Sequence, residues 1–441
     1  MSPEREIKDF MKSLGVDVVG LAGPGRFDGP PSLDPGYVLK GAKSVIAYAL
    51  PLDVEAIYAY LKKETGIKSN LDQIRVHQRV MHAGLKLTKF LEERGYRAAG
   101  IPPNVDYRKD LRSTLATMPK FSHRYASYVS GIAAPGISGN AVTKEYGASQ
   151  ILNSIVTDAE LESDPMLAPR HVFDGRCQEC MTCTQSCPPK MFMKSKEEYA
   201  LINGELYPRG KKRDINLCAV SCGGLHSISA DKTWSSWGKS WLDNWTGKEP
   251  DPETQNILKD MLAAFGFNKD LVARISPAKH FFGSPFEEGY FEEGGPFPSY
   301  EQLEGETEGQ KLRSYADALE PLVGNAIADP LSMTCCHCQL ICGPTTEEAQ
   351  KRWEMLSSGG ILCYKENNEP YIAHDFKEAA EIRRKYRYQI KQQVEKESVR
   401  GRGRLFFRNF GIDWHTVIKG RQYRKKLAKA LAENGLPPQK G

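Results

Sequence analysis

Four cysteines at short, regular intervals are the residues of this chain best suited to chemistry. Cys177, Cys180, Cys183 and Cys187, with Pro188 next, read Cys-x-x-Cys-x-x-Cys-x-x-x-Cys-Pro. This spacing is typical of [4Fe–4S] sites, in which three close thiolates bind one cluster and the fourth cysteine reaches a second cluster. The run therefore predicts electron transfer through iron–sulfur centres.

A second group of cysteines, at 335, 338 and 342, repeats part of this spacing. The crossover between the two groups predicts two clusters. The first would be held by the opening three cysteines of the run and the last of the second group: Cys177, Cys180, Cys183 and Cys342. The second would be held by Cys187, Cys335, Cys338 and one of a pair between the groups, Cys218 in preference to Cys222.

Zinc is the alternative for these cysteines, because zinc sites also use Cys-x-x-Cys pairs. A single cluster beside some other group is a further alternative. The three-residue gap before Cys187 and its repeat before Cys342 favour iron–sulfur. Cys336 is left without a role, and the solitary Cys363 is expected to be a core thiol.

The composition fits a chain of two or three domains. Its 441 residues are 40% hydrophobic and 26% charged, and no run of about 18 uncharged apolar residues occurs. Ten of the eleven cysteines fall in tight clusters, which favours metal binding over disulfides. Because the N-terminus has no basic region followed by an apolar stretch, we expect a cytoplasmic protein.

The C-terminal region is strongly basic. From Lys385 onward, 15 Lys or Arg side chains stand against four acidic ones, whereas the rest of the chain is mildly acidic. Arg-Gly-Arg-Gly-Arg at 400–404 precedes an apolar segment at 405–407, and an amphipathic stretch runs over 423–431. This pattern suits peripheral attachment to an anionic membrane surface, or RNA; a solvated helix with a disordered end is the plain alternative.

The first 165 residues alternate predicted helices and strands. Ser2 caps a helix whose apolar positions include Ile7 and Met11, and a long amphipathic helix begins at Asn70. Short apolar strands are predicted over 17–22, 44–50 and 96–101. This alternation indicates an α/β or α+β domain.

A glycine-rich segment lies about 30 residues before the cysteine run. Glycine permits positive φ angles and a close approach of the backbone to a ligand. The spacing alone leaves a phosphate, a flavin, a flat macrocycle and a plain turn open. The residues of interest are those with small or turn-forming character at fixed offsets: Gly131, Gly136, Gly139, Thr143, Glu145, Tyr146 and Gly147.

These seven residues are in register with the Gly-Leu-Gly-x-x-Gly-x-x-Gly-x-x-Ile-Thr-Pro-Glu-Tyr-Gly stretch of the cobalamin-dependent reductive dehalogenase family. The segment also resembles the Gly-Leu-Gly-Trp-x-Gly-Lys-Asn loop of the related epoxyqueuosine reductases. Val156-Thr157-Asp158 is similar to a Leu-Thr-Asp strand of both families. The likeness extends over residues 1–222 and 335–345.

The resemblance implies an α+β fold, with a nitroreductase-like corrinoid-binding domain over 1–168 and a ferredoxin-like two-cluster module over 169–222 and 335–365. An aromatic-rich insertion would occupy 223–334 and a basic helical tail 366–441. It also implies cobalamin bound base-off beside the seven residues. Electrons would pass from a reduced ferredoxin or flavodoxin-type donor through both clusters to cobalt. The reduced cobalt would then cleave a carbon–heteroatom bond of a small molecule, and a carbon–halogen bond is the first candidate.

The sequence departs from the family pattern at several positions. Ala133 replaces the second glycine of Gly-Leu-Gly, Lys144 stands where the family has proline, and Gly343 follows Cys342 where proline is usual. The region 117–123 lacks the aspartate that serves epoxyqueuosine reductases as proton donor, which argues against that substrate. Dehalogenases use a tyrosine assisted by a basic residue, and the candidates here are Tyr107, His123, Arg124, Tyr125 and Tyr128.

The insertion carries Trp234, Trp237 and Trp241 at the spacing of one helix face. These rings would either cover a substrate pocket or attach the insertion to the body. Two other functions stay open from the sequence. One is a tRNA-modifying reductase of the epoxyqueuosine type, and the other is a non-catalytic iron–sulfur carrier that passes electrons to a partner protein.

Overall fold

The computed structural model describes residues 2–101, 119–187, 192–212, 234–235, 299–306, 337–374 and 414–439, with gaps at 63, 66, 359–360 and 365–369, and a few positions between 310 and 385. Several predicted residues lie outside this part of the chain: Tyr107, Pro188, Cys218, Cys222, Cys335, Cys336, Trp237 and Trp241.

The described elements alternate as the sequence predicts for the N-terminal region. The helices are α1 (Pro3–Ser13), α2 (Val54–Leu61), α3 (Ile67–Glu92), α4 (His123–Val129), α5 (Gln178–Cys180), α6 (Thr182–Gln185), α7 (His337–Leu340), α8 (Thr346–Ser358) and α9 (Trp414–Glu433). The strands are β1 (Val18–Ala22), β2 (Ser44–Pro51), β3 (Ala98–Gly100), β4 (Ala134–Pro135), β5 (Ala141–Val142), β6 (Gln150–Thr157), β7 (Phe192–Ile202), β8 (Glu205–Lys212), β9 (Trp234–Ser235), β10 (Ile361–Tyr364) and β11 (Pro370–Ala373).

A four-stranded sheet in the order β1-β2-β6-β3 organises the first 160 residues. All three pairings are antiparallel, and β2 pairs with β6 from Ser44 opposite Thr157 to Pro51 opposite Gln150. Helices pack against an antiparallel sheet in the α+β class, whereas α/β folds have parallel strands. The predicted mixture of helix and sheet is confirmed, and the nitroreductase-like and ferredoxin-like layout stays a prediction.

The sheet is covered on both faces, because strand side chains alternate between them. On β2, Ile46 and Tyr48 enter a core built with α1, α2 and α3, which also takes in Leu340 and Ile341 of the second cysteine group. Val45 of β2 enters a second core with α4 and the β7–β8 hairpin. Cys183 of the first cysteine run also packs against the first of these cores, so both cysteine groups are attached to the same face of the sheet.

The β7–β8 hairpin follows the first cysteine run directly and turns at Asn203-Gly204, with Ile202 opposite Glu205. Both turn residues have positive φ, 50° at Asn203 and 82° at Gly204. A two-residue loop of this kind matches the twist of the flanking strands, and Asn-Gly is its preferred sequence. The hairpin brings Tyr207 into the second core.

The helical prediction for Trp234 is wrong. Trp234 lies in β9, opposite Cys363 of β10. Pairing with a strand far along the sequence overrides the local spacing, and tryptophan fits a pleated sheet well. This contact joins the start of the predicted insertion to the strand that follows α8.

The predicted amphipathic helix over 423–431 is confirmed as part of α9. Lys426 pairs with Asp28 at 2.8 Å, and Lys419 approaches Asp34 at 3.4 Å, so the helix docks on the N-terminal region. No described helix is long and apolar enough to cross a membrane.

Candidate functional site

The first cysteine run lies on a π-helical turn (Phe173–Cys177) followed by α5 and α6. Met181 separates the two short helices in the left-handed region, at φ 51°. A non-glycine residue there is uncommon, and such strain concentrates at functional sites. The run is therefore held as a series of short turns and not as one continuous helix.

Cys342 joins the first run from a distant part of the sequence. Burial is the main cause that raises the pKa of Cys177 to about 12, and the neighbouring Cys342 and Cys180 thiols contribute to this rise. Burial raises the pKa of Cys183 well above its usual range, and Cys342, Cys177, Cys338 and Cys180 each add to that rise. Mutual effects of this kind place the thiols within reach of one another's charge.

Only the thiolate binds metal, so a cationic group among these cysteines would stabilise their deprotonated form. Among the described residues, no three Cys, His, Asp or Glu side chains are close enough to hold a single metal ion. A [4Fe–4S] cluster distributes four thiolates over four irons. The donor set of Cys177, Cys180, Cys183 and Cys342 fits that chemistry.

The predicted second cluster is described only in part. Cys187 is buried and Cys338 is half-buried. Cys338 lies beside Cys183, so the two predicted clusters would be neighbours. The other predicted ligands, Cys335 with Cys218 or Cys222, lie outside the described residues.

N–H groups point at three of these sulfurs. The Arg176 guanidinium donates from Nη2 to Cys342 Sγ at 3.2 Å. The backbone N–H of Ile137 donates to Cys177 and opposes the rise in its pKa. Asn140 donates from Nδ2 toward Cys338 Sγ at the longer distance of 3.6 Å. Donors to sulfur stabilise the negative charge of a cluster.

The glycines of the 131–147 segment pack against the chain itself. A Cβ on Gly147 would lie 2.1 Å from the carbonyl oxygen of Gly343, and one on Gly131 would lie 2.1 Å from that of Pro165. A Cβ on Gly136 would stand 3.4 Å from Cys177 Sγ. These glycines allow close approach to the cysteine segments, and they do not line an open cradle within the described residues. Their predicted contact with a corrinoid stays a prediction.

The remaining predicted corrinoid contacts form a tight turn. Thr143 and Gly147 exchange backbone hydrogen bonds, and Thr143 Oγ1 accepts from the N–H of Tyr146 at 3.1 Å. Thr143 Oγ1 also donates to Gln150 Oε1 at 2.9 Å. Glu145 is exposed and Tyr146 is half-buried. The turn therefore presents Glu145 to solvent and fixes Thr143 internally.

A buried arginine braces the segment that carries Cys342. Arg352, on α8, is only 2% exposed and donates to Ser149 Oγ at 2.6 Å and to the Leu340 carbonyl at 2.8 Å. Ser149 Oγ in turn lies 3.2 Å from the Cys342 carbonyl oxygen. Glu348 balances the charge of Arg352 at 2.7 Å. The network fixes the second cysteine segment against β6.

Aromatic and basic side chains form a second centre, here called the tyrosine–arginine cluster: Tyr125, Tyr128, Tyr207, Arg209 and Tyr423. The rings of Tyr128 and Tyr207 are parallel with centroids 5.7 Å apart, and Tyr125 meets Tyr128 edge-on at 6.0 Å. Tyr423 enters from α9, and its hydroxyl accepts the Leu201 N–H at 3.0 Å. Three separate segments thus supply the cluster.

Burial raises the pKa of Tyr207 and of two further phenols in this cluster. Burial raises the pKa of Tyr128, and Arg124 and Arg209 oppose that rise. Burial also raises the pKa of Tyr423. Burial works against the charge of Arg209, yet Tyr125 and Glu198 outweigh it and raise its pKa. The Arg209 Nε lies 2.8 Å from Glu198 Oε1. The cluster combines neutral phenols with a fixed positive charge.

One turn of the glycine segment connects the two centres. Gly136 and Asn140 close this turn with a 3.0 Å backbone hydrogen bond. At one end a Cβ on Gly136 would be 3.4 Å from Cys177 Sγ, and at the other a Cβ on Gly139 would be 3.4 Å from Arg209 Cδ. A single turn therefore lies between Cys177 and Arg209.

Of the predicted proton donors, the structure brings Tyr125, Tyr128 and Arg124 together. Tyr125 is half-buried and Tyr128 is 3% exposed. Arg124 donates to Asn140 Oδ1 at 3.5 Å. His123 shares a 2.6 Å hydrogen bond with Ser154 Oγ on the sheet. The arrangement favours Tyr125 as the accessible phenol.

Sequence reasoning missed Arg176, Asn140, Tyr207, Arg209 and Tyr423. Two of them had a local signal, since Arg176 precedes Cys177 and Asn140 follows Gly139. The other three meet only through tertiary packing.

The sequence matches no protein-family model and no curated protein sequence. The structure is similar to the catabolic reductive dehalogenase NpRdhA, with 14% identity, a TM-score of 0.38 and coverage of 62% of this chain and 36% of that one. This chain thus spans little more than a third of the length of that dehalogenase.

The structure is also similar to epoxyqueuosine reductase with an epoxyqueuosine-modified tRNA-Tyr stem loop, at 18% identity, a TM-score of 0.35 and coverage of 80% of this chain and 98% of that one. For epoxyqueuosine reductase from Streptococcus thermophilus the identity is 14%, the TM-score 0.35 and the coverage 81% and 98%.

Proposed function

We propose that this chain is an iron–sulfur reductase that carries two [4Fe–4S] clusters and couples electron delivery to proton delivery. The observation that supports this most is the single turn from Gly136 to Asn140, with the Cys177 sulfur at one end and Arg209 at the other. A reduction that cleaves a bond needs an electron source and a proton source at one place.

Electrons would enter from a small reduced donor of the ferredoxin or flavodoxin type. They would move from the cluster of Cys187 and Cys338 to the cluster of Cys177, Cys180, Cys183 and Cys342. The electrostatic effect of Cys338 on Cys183 supports a transfer between these two clusters, because it makes them neighbours. The donors Arg176 and Ile137 would stabilise the charge that the first cluster gains.

Protons would come from the tyrosine–arginine cluster. Tyr125 is the candidate donor, since it is less buried than Tyr128. Arg209 would stabilise the phenolate left behind, because a nearby cation lowers the cost of ionising a phenol. The neighbouring buried phenols exclude water from this side of the site.

The final acceptor proposed is a base-off corrinoid. Its cobalt would supply the electrons that cleave a carbon–heteroatom bond, and a carbon–halogen bond is the first candidate. This part of the proposal depends on the sequence resemblance, because the glycines predicted to contact the corrinoid pack on the chain.

Anaerobic reconstitution with iron, sulfide and hydroxocobalamin, followed by metal analysis, tests the proposal in stages. Iron and labile sulfide at about eight atoms each per chain support the two clusters. Cobalt retained after gel filtration supports the corrinoid. Zinc in place of iron would remove the electron-transfer function, and iron without cobalt would leave an electron carrier.

Substrate assays then separate the reactions. Release of chloride or bromide from organohalides supports dehalogenation. Turnover of epoxyqueuosine-modified tRNA without halide release would favour the tRNA reductase, a candidate for which the exposed basic face of α9, with Arg421, Arg424 and Lys425, offers a contact.

A further inference from the structure

We propose that Arg176 raises the reduction potential of the first cluster and so makes that cluster the electron-accepting end of the pair. This inference rests on the proposed function, because it requires the two clusters to be present. It assigns Arg176 the role of a positioning and tuning residue and not of a ligand.

Arg176 holds the Cys342 segment through three acceptors. Its Nη2 donates to Cys342 Sγ at 3.2 Å and to the Gly343 carbonyl, and its Nη1 donates to the Pro344 carbonyl at 2.7 Å. The planar fork of a guanidinium suits such a set, whereas a lysine offers a single point charge. The geometry fixes a positive charge on a predicted cluster ligand.

The charge of Arg176 acts on two ligands at once. It donates to Cys342 Sγ, and it directly precedes Cys177 in the chain. Reduction adds a negative charge to the cluster, so a fixed cation nearby favours the reduced state. Cluster potentials follow net charge, hydrogen bonds to sulfur and solvent exposure.

Within the described residues, the hydrogen-bond donor to a ligand sulfur of the second cluster is weaker. Asn140 donates a neutral N–H toward Cys338 Sγ at 3.6 Å. A charge-assisted hydrogen bond is about twice as strong as a neutral one. The difference between Arg176 and Asn140 therefore predicts a higher potential for the first cluster, and electrons flow toward it.

Potentiometric titration of the reconstituted full chain, followed by electron paramagnetic resonance, tests the inference. The first cluster is identified as the signal missing from Cys342→Ser. In Arg176→Gln, at a fixed applied potential, the ratio of reduced to oxidised first cluster should fall about tenfold. This fall corresponds to a decrease of about 59 mV in the reduction potential of that one-electron couple. Arg176→Lys should show a smaller fall in the same direction.

Arg170→Gln is the matched control. Arg170 is six residues before Arg176, yet its charge is taken up by Asp174 at 2.6 Å and Glu197 at 3.1 Å. Its substitution should leave both potentials unchanged. Full iron content with unchanged potentials in Arg176→Gln would overturn the inference, as would a shift of the second cluster alone.

Two further outcomes are informative. If Arg176→Gln loses iron, Arg176→Lys decides: full iron and an unshifted first cluster would overturn the inference. If the unaltered chain takes up no iron, the proposed function itself fails, and that result is visible before any variant is made.

Discussion

The thiol side and the phenol side of the Gly136–Asn140 turn differ in how they are built. The thiol side takes its groups from two cysteine motifs whose spacing is local, and tertiary structure adds only the crossing of Cys342 to the first run. The phenol side takes Tyr125, Arg209 and Tyr423 from three segments with no shared motif. Binding of a cluster needs cysteines at fixed sequence spacing, whereas proton donation needs only one phenol in a suitable electrostatic environment.

Cys342→Ser should have the largest effect of these substitutions, and it should act on the iron content of the thiol side. Because Cys342 is the only ligand that the second group gives to the first cluster, its loss should remove about four of about eight iron atoms. Iron and labile sulfide analysis checks this after anaerobic reconstitution. Cys363→Ser, a predicted non-ligand, serves as the control. Equal iron in Cys342→Ser and the unaltered chain would show that the crossover is not used.

Tyr125→Phe should affect the phenol side alone. If Tyr125 donates the proton, turnover should fall by about 10²-fold or more, since general acids contribute on that scale. The potentials of both clusters should stay the same, which a potentiometric titration checks. Tyr96→Phe, on an exposed tyrosine, is the matched control. Full turnover in Tyr125→Phe would move the donor role to another member of the tyrosine–arginine cluster.

The sequence predicted the thiol side far better than the phenol side for a physical reason. Iron–sulfur ligation requires cysteines at offsets that one chain segment can satisfy, so the pattern is visible without a fold. Tyr207 reaches the site because Asn203-Gly204 turns a hairpin, a signal that sequence reasoning passed over. Arg209 and Tyr423 depend on how β8 and α9 pack, which no local spacing encodes.

The fold was predicted where hydrophobic patterns are strong, as in α1, β2 and α3. Trp234 shows the opposite case, because a spacing that fits a helix face belongs to a strand paired with β10. The glycine segment was recognised from its residues, but its packing against Gly343 and Pro165 depends on tertiary contacts.

Gly147→Ala should destabilise the packing of the turn against the second cysteine segment. Gly147 has φ 66°, and a Cβ there would lie 2.1 Å from the Gly343 oxygen, so we expect a loss of about 3 kcal/mol in the free energy of unfolding. Gly95→Ala is the control, because Gly95 has φ 84° with open space around it and should lose only about 1 kcal/mol. Chemical denaturation measures both, and equal losses would contradict the contact with Gly343.

Alkaline pH should lower the free energy of unfolding through the phenol side, by a smaller amount than Gly147→Ala does. The folded-state pKa values of Tyr128 and Tyr423 are raised by burial, so their contribution to stability is complete below about pH 10 and is lost as the pH rises above it. Each phenol should contribute about 1.4 kcal/mol per pH unit above that point. Tyr423→Phe should reduce this slope, as measured by denaturation at several pH values. An unchanged slope would show that Tyr423 ionises freely in the folded chain.

The central claim is that the first cysteine run and Cys342 bind a cubane cluster beside a second one. The most direct measurement is the Mössbauer spectrum of the full chain reconstituted anaerobically with iron-57. The account predicts two [4Fe–4S] clusters and about eight iron atoms per chain. A spectrum without cubane iron, or a chain that retains zinc at these cysteines, would contradict it.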